Sequence, residues 1–389
     1  MKKKVCVVTG TRAEYGLLKP IIDKVYYSKG LELQLVVTGM HLSPEFGLTY
    51  REIENDGYTI ISKIEMLLSS DTPVGITKSM AITLMGFADC FQQIKPDMIV
   101  VLGDRYEMLM VASAAMIAKI PVAHIHGGEI TEGAYDDAIR HSITKMSHLH
   151  FPSTEEYRKR IIQLGENPTF VYNVGALGVE NVKNVALWKK RDLENNLNFS
   201  FNDKTIIVTY HPVTLDNLSS ECQFNNLLQA IDAHPEMKVI FTKANADTDG
   251  RIINQMIDKY VDKNKGRCIG FTSLGQVRYL SVLQYCRAVV GNSSSGIIEV
   301  PSFHIPTVNI GNRQQGRIAA ESVINCGYES TQIENALQKA FSTEFIKVTE
   351  NCNNPYEGID TSKKIVEKIE EVLYAGIDVK KEFYDVDYA

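Results

Sequence analysis

The sequence predicts an α/β protein built from two doubly wound parallel-sheet domains, and three observations carry that prediction. Short apolar, β-branched runs alternate with longer amphipathic segments along the whole chain. A polar stretch interrupts the alternation near the middle, after which it restarts. The 389 residues exceed what one core comfortably serves. Strand and helix in alternation imply βαβ units and parallel sheets.

In chain order the strand candidates are Val5–Thr9, Leu33–Thr38, Met98–Leu102, Val122–Ile125, His148–Phe151 and Val171–Val174. After the interruption come Thr205–Tyr210, Met237–Thr242, Ala288–Gly291 and Thr307–Ile310. Helical periodicity marks Leu17–Tyr27, Lys78–Gln93, Glu107–Ala118 and Glu155–Leu164 between them. The interruption, Lys189–Lys204 (KKRDLENNLNFSFNDK), has the charge and Asn content of a linker that supports little core. Domains 1–185 and 186–389 follow, with a C-terminal helix over Thr361–Tyr374 that can pack back on the first domain. Ligands of open α/β sheets collect beyond the carboxyl ends of strands, so the ligand is expected in the cleft between the domains.

Composition narrows the function. Lys+Arg total 41 and Asp+Glu 47, a formal net charge of -6, which argues against nucleic-acid binding. The seven cysteines are scattered and never spaced C-x-x-C, so neither a disulfide framework nor a thiolate zinc site is expected, and a reducing cytosol fits. Met1-Lys2-Lys3-Lys4 leads into a short apolar run without a secretory pattern, and no apolar run approaches the ~20 residues of a membrane span. The expectation is a cytoplasmic protein away from membranes.

The unusual residues sit where apolar strands stop. Gly10-Thr11-Arg12-Ala13-Glu14-Tyr15-Gly16 joins a strand to a helix without the spacing of G-x-G-x-x-G or a Walker loop. It offers a helix N-terminus and an Arg, which suit a phosphate, or simply an ordinary turn with a solvated Arg. Gly291-Asn292-Ser293-Ser294-Ser295-Gly296 offers backbone N–H groups and hydroxyls to a diphosphate, with Glu299 about one turn on, in reach of a ribose diol. A plain N-cap needs one Ser, not three flanked by glycines. Arg313 and Arg317 flank a glycine-bearing turn, and His211 follows the strand ending at Tyr210; each is weak alone.

The densest cluster is Leu102-Gly103-Asp104-Arg105-Tyr106-Glu107, then His124-Ile125-His126-Gly127-Gly128-Glu129, then Tyr135-Asp136-Asp137-Ala138-Ile139-Arg140-His141. Carboxylates and imidazoles so placed suit acid–base work on a bound substrate, although Asp136 and Asp137 also suit a helix dipole. His124 and His126, two apart, share a strand face and have zinc-ligand chemistry, but no third ligand of settled spacing accompanies them. No metal and no cofactor are expected.

With these pieces in order, the chain resembles the UDP-N-acetylglucosamine 2-epimerase family, above all its hydrolysing branch. The resemblance rests on VTGTRAEYG, VTGMHLSPEFG, VLGDRYE, HIHGGE, DDAIRHSITKMSHLHF, HPVT, GNSSSGIIEVPSF and NIGNRQQGR, in family order over residues 5 to 317, with KKEFYDV near the end. It implies two Rossmann-like domains facing across a cleft, the GT-B arrangement, and a homodimer or homotetramer. It implies UDP contacts at Arg12, His211, Ser293, Ser294, Glu299 and Arg313, with Phe271 in the uracil loop. It puts Asp104, Arg105 and Asp136 in the sugar site, Asp104 and Asp136 being tied to catalysis. Many relatives carry a catalytic Glu where this chain has His126, so His126 or Glu129 must supply that function, and a one-residue offset makes Asp137 an alternative to Asp136. The reversible branch's Gln-His-Arg segment, associated with an allosteric site, is replaced by Met40-His41-Leu42-Ser43-Pro44-Glu45, which implies absent or altered activation.

The activity so implied converts UDP-N-acetylglucosamine and water to UDP and N-acetylmannosamine for sialic-acid synthesis, through a 2-acetamidoglucal. Relatives that act on UDP-N,N'-diacetylbacillosamine for legionaminic acid supply an alternative substrate. The rival classes are a GT-B glycosyltransferase, which passes the same donor to an acceptor, and a non-catalytic sugar-nucleotide sensor, which has no use for Asp104, Glu129 and Asp136.

Overall fold

The predicted crossovers close into two parallel sheets in a computed structural model that describes residues 1–70, 72–131, 135–213, 218–244 and 249–386. The chain divides into two compact units. Unit 1 comprises Met1–Glu129, Asp136–Asn181 and Tyr356–Ala389, and unit 2 comprises Ile130–Tyr135 and Val182–Pro355. The crossing from one unit to the other falls at Asn181/Val182, and the chain returns to unit 1 at Tyr356.

Unit 1 contains strands β1 (Lys3–Thr9), β2 (Leu31–Thr38), β3 (Ile60–Ile64), β4 (Met98–Leu102), β5 (Val122–Ile125) and β6 (Leu149–Phe151), in the spatial order β3-β2-β1-β4-β5-β6. Its helices are α1 (Arg12–Tyr27), α2 (Tyr50–Asn55), α3 (Pro73–Ile94), α4 (Tyr106–Ile117), α5 (Asp136–Met146), α6 (Glu155–Gln163) and α7 (Leu177–Asn184), the last running past the boundary. Helix α1 shows why these segments fold as they do. The Thr11 side chain caps it by accepting from the Glu14 N–H, and Leu18, Ile21, Ile22 and Val25 recur at helical spacing to bury one face.

Unit 2 contains α8 (Lys190–Leu197), β7 (Ile206–Thr209), α9 (Ser220–Asp232), β8 (Val239–Thr242), α10 (Gly250–Lys263), β9 (Cys268–Phe271), α11 (Gly275–Leu283), β10 (Ala288–Gly291) and α12 (Ser295–Ile298). Strands β11 (Thr307–Ile310) and β12 (Val323–Cys326) and helices α13 (Ser330–Phe341) and α14 (Thr343–Glu350) complete it, giving the order β12-β11-β10-β7-β8-β9. The final helix, α15 (Thr361–Ala375), belongs to unit 1, where Ile365, Val366, Ile369, Val372 and Leu373 join the core beside α1.

Both sheets have the Rossmann strand order, and each reverses direction once, between β1 and β4 in unit 1 and between β7 and β10 in unit 2. At those reversals, loops that follow neighbouring strands diverge to opposite faces and leave room for a ligand.

The structure corrects several sequence expectations. Val171–Val174 is not a strand; only Val171 bridges to His150. Three strands, β3, β9 and β12, went unread. The polar stretch 189–204 is not a bare linker, because it forms α8 and sends Leu193, Leu197, Phe199 and Phe201 into the core of unit 2. An apolar helix of spanning length is also present: α3, with 22 residues, is long and apolar enough to cross a membrane by length and composition. Scattered Thr, Ser and Gln disguise it in sequence. In unit 1 it lies against α4 and β3 and buries Ile76, Ser79, Thr83, Phe87 and Phe91, the one-sided spacing of a core helix.

Candidate functional site

In unit 1 the carboxylate and imidazole candidates lie on the loops after the neighbouring strands β4 and β5 and at the start of α5. The chain turns at Gly103 in the left-handed region (φ +76), presenting Asp104 and Arg105 at the sheet's reversal point. The Asp104 carboxylate accepts from Nη2 of Arg140, whose side chain is buried, on the first turns of α5. This ion pair couples the β4 loop to the helix that begins with Asp136, itself partly buried. Arg105 donates through Nε to Glu107 Oε1 at 2.5 Å, and its guanidinium lies 5.6 Å from the Tyr106 ring centroid. Asp137, the offset alternative, pairs with His141 at 3.5 Å, and burial foremost lowers the pKa of that imidazole.

The two histidines near β5 take different surroundings. His124 is wholly buried on the strand, with Nε2 2.8 Å from the Gly103 carbonyl oxygen and Nδ1 3.2 Å from Thr144 Oγ1. Burial pushes its pKa down to about 3, so it is a neutral brace for the Gly103 turn. His126, just past the strand, sits in the left-handed region (φ +61) and accepts the Leu177 N–H on Nε2 at 3.4 Å. That leaves the proton on Nδ1, 3.8 Å from Glu129 Oε1, and the same oxygen accepts from Ser153 Oγ at 2.9 Å. His126 and Glu129 are both buried, and their ring-to-carboxylate approach forms a dyad. The two rings therefore do not converge on one point as zinc ligands do, and no group of three or more His, Cys, Asp or Glu able to hold a metal occurs among the described residues.

Arg12, which the resemblance assigns to phosphate, lies in unit 1 at the start of α1 and pairs with Glu52 of α2 at 2.6 Å. His41, from the segment that replaces Gln-His-Arg, is fully buried between the hydroxyls of Thr9 (3.1 Å) and Thr49 (2.8 Å). Burial lowers its pKa to about 4, so it stays neutral and structural.

The remaining candidates, His211, Phe271, Ser293, Ser294, Glu299 and Arg313, all belong to unit 2. Strands β7 and β10 run so close that a Cβ on Gly291 (φ +134) would collide with the Thr209 carbonyl, so glycine is required there. The next residue, Asn292, is fully buried and holds three loops at once. Its Oδ1 accepts from the His211 N–H and its Nδ2 donates to the His211 carbonyl, both at 2.7 Å. Its own carbonyl accepts from Arg313 Nη1 at 3.1 Å and Gln314 Nε2 at 2.8 Å. Thus the segments after β7, β10 and β11 are locked together at the reversal of sheet 2. Ser293 Oγ accepts from the Ser295 N–H, and Ser295 Oγ lies 2.7 Å from the Tyr279 hydroxyl. Glu299 caps the C-terminus of the four-residue α12, partly buried, and Phe271 ends β9, packed on the second core of unit 2.

Sequence reasoning missed Asn292, Gln314 and Glu107 as site-building residues. All three lie inside quoted motifs, but nothing in a strand-end Asn or a first-turn Glu distinguishes a clamp from a cap before the neighbouring loop is known.

Comparison with known proteins bears on the fold and the family. Residues 23–370 match the family model described as UDP-N-acetylglucosamine 2-epimerase. The chain is 45% identical over 344 residues to the GDP/UDP-N,N'-diacetylbacillosamine 2-epimerase (hydrolyzing) of Campylobacter jejuni, covering 88% of this chain and 89% of that protein. It is 39% identical over 385 residues to the polysialic acid biosynthesis protein P7 of Escherichia coli, covering 99% and 98%. In fold it is similar to the crystal structure of the UDP-GlcNAc 2-epimerase of Neisseria meningitidis bound to UDP-GlcNAc, with TM-score 0.79 and 18% identity over 95% of this chain and all of that one. With a family model spanning most of its length and relatives this close, the chain belongs to the UDP-N-acetylglucosamine 2-epimerase family.

Proposed function

We propose that this enzyme hydrolyses a UDP-linked 2-acetamido hexose with inversion at C2, releasing UDP and the free sugar. The observation that carries the reading is the unit 1 cluster: a carboxylate held by a buried guanidinium (Asp104–Arg140) beside the loop bearing a buried imidazole–carboxylate dyad (His126–Glu129). A protein that only bound the nucleotide would have no use for it.

The C2 hydrogen of a hexosamine is barely acidic, so its removal must be coupled to departure of UDP. In the proposed sequence a carboxylate takes the C2 proton, the C1–O bond to UDP breaks, and the electron pair of the C2–H bond forms the C1=C2 bond of a 2-acetamidoglucal. Water then adds its oxygen to C1, while C2 receives a proton on the opposite face. Asp104, Glu129 and Asp136 are the carboxylates proposed for these transfers, His126 acts with Glu129, and Arg105 holds the sugar. His211, Ser293, Ser294 and Arg313 would bind the diphosphate as its charge grows, with Arg12 a further cation for it. Glu299 would take the ribose hydroxyls, and Phe271 the uracil.

UDP-N-acetylglucosamine and UDP-N,N'-diacetylbacillosamine are both proposed substrates; the second is favoured by the name of the 45% identical relative. Incubation with each alone, followed by proton NMR, tests the proposal. Release of UDP with a manno-configured free sugar supports it, and UDP released with a gluco-configured sugar refutes it.

A further inference from the structure

Two acidic side chains meet beneath the reversal point of sheet 1, and the proposed chemistry uses neither. Glu14, in the first turn of α1, accepts the Gly10 N–H on Oε2 at 2.6 Å, and its Oε1 is buried without a hydrogen-bond partner. Glu107, in the first turn of α4, is 1% exposed; its Oε1 accepts from Arg105, and its Oε2 is likewise buried without a partner. Both flank Gly10: a Cβ placed there would come within 2.6 Å of Glu107 Oε1. Arg105 is the cation acting on this pair, so two carboxylates would leave one buried negative charge uncompensated. Two further titratable or charged side chains come from the same elements or from the segment after β2. His41 is held neutral by burial, and Arg12 is paired with Glu52.

We propose that Glu107 is a positioning residue that fixes the guanidinium plane of Arg105 for the substrate, and that it does so while Glu14 beside it keeps a proton. With Glu14 neutral, Glu107 has one cation and directs it. When Glu14 ionises, a second carboxylate competes for Arg105 and the guanidinium is drawn from its place. Burial first, then the charge of Glu107, push the Glu14 carboxyl up to about 8, against the opposing Gly10 N–H and Arg105. The switch therefore falls in mildly alkaline solution.

This rests on the reading that Arg105 serves the sugar site, and the test separates the two. With whichever of the two UDP-sugars is turned over faster, Glu107→Gln should lower kcat/KM by about tenfold to a hundredfold, the range for losing a charge-assisted bond. Its affinity for UDP alone should stay within about twofold. In an Arg105→Ala background the same change should add nothing. The parent enzyme should lose activity as pH rises through about 8, and Glu14→Gln, a copy of the protonated carboxyl, should abolish that limb. If Arg105→Ala matters but Glu107→Gln does not, or if Glu14→Gln retains the alkaline limb, the positioning proposal is overturned. If Arg105→Ala is itself without effect, the reading of the sugar site fails first. Should Glu107→Gln fold poorly, the Glu14→Gln profile still decides. Should neither sugar react, urea unfolding of parent and Glu14→Gln across the same pH range tests the proton directly, with identical pH dependence refuting it.

Discussion

Glu14 carries a stability consequence that does not depend on substrate. A carboxyl whose pKa is raised from 4.5 to about 8 on folding binds its proton more tightly in the native state. Its contribution is fully present below the ordinary value and is lost as pH rises through about 8. Glu14→Gln should therefore stabilise the enzyme near neutrality, by on the order of 3 kcal/mol at about pH 7.5, and by almost nothing at about pH 4. Urea unfolding at the two pH values checks this, and a gain independent of pH would contradict it. Asp104, whose carboxylate is held by Arg140, gives a different expectation on the proposed reading, in which it serves the chemistry. Asp104→Asn should lower turnover by at least about a hundredfold. UDP affinity, measured by calorimetry, should barely change. At this scale the sequence was legible in kind but not in role. It marked Asp104, Arg105, His126 and Glu129, yet the left-handed turn at His126 and the Leu177 N–H on its ring arise from tertiary packing that no local pattern encodes.

Among elements, the loops after β7, β10 and β11 are joined through Asn292, so their positions are not independent. Asn292→Ala strands the His211 backbone groups in a buried place, and should destabilise the fold by about 2 kcal/mol or more and weaken UDP binding roughly tenfold. Thermal unfolding and calorimetry measure both effects; unchanged UDP affinity in a folded variant would show that the clamp does not serve the ligand. Legibility at this scale followed burial. The strands that went unread, β3, β9 and β12, are all edge strands of their sheets. An edge strand is partly exposed, so it lacks the continuous apolar run by which a central strand of a parallel sheet announces itself. The misread linker has the opposite cause. Its charges dominate the composition, but Leu193 and Leu197 lie four apart on one helix face and Phe199 and Phe201 alternate after it, enough to anchor the segment in the core.

For the whole molecule, the sequence showed two Rossmann-like sheets because each repeats the same alternation, whereas the return of the chain to unit 1 at Tyr356 depends on contacts far apart in sequence. Helix α15 fills the core of unit 1 with five buried aliphatic side chains, and Ser362 donates to the buried Glu180. At about 1.5–3 kcal/mol for each such side chain, their loss rivals the whole stability of an ordinary domain. Truncation after Pro355 should leave unit 1 unfolded, as read by limited proteolysis; a truncated chain with protease-resistant unit 1 would contradict this. In the proposed reaction the enzyme eliminates UDP across C1–C2 and hydrates the resulting double bond. Proton NMR of the product formed in heavy water tests it most directly. The expected product is a free sugar of manno configuration carrying one deuterium at C2, since the returning proton comes from a group in exchange with solvent. Product that keeps its original C2 hydrogen, or keeps the gluco configuration, would contradict it.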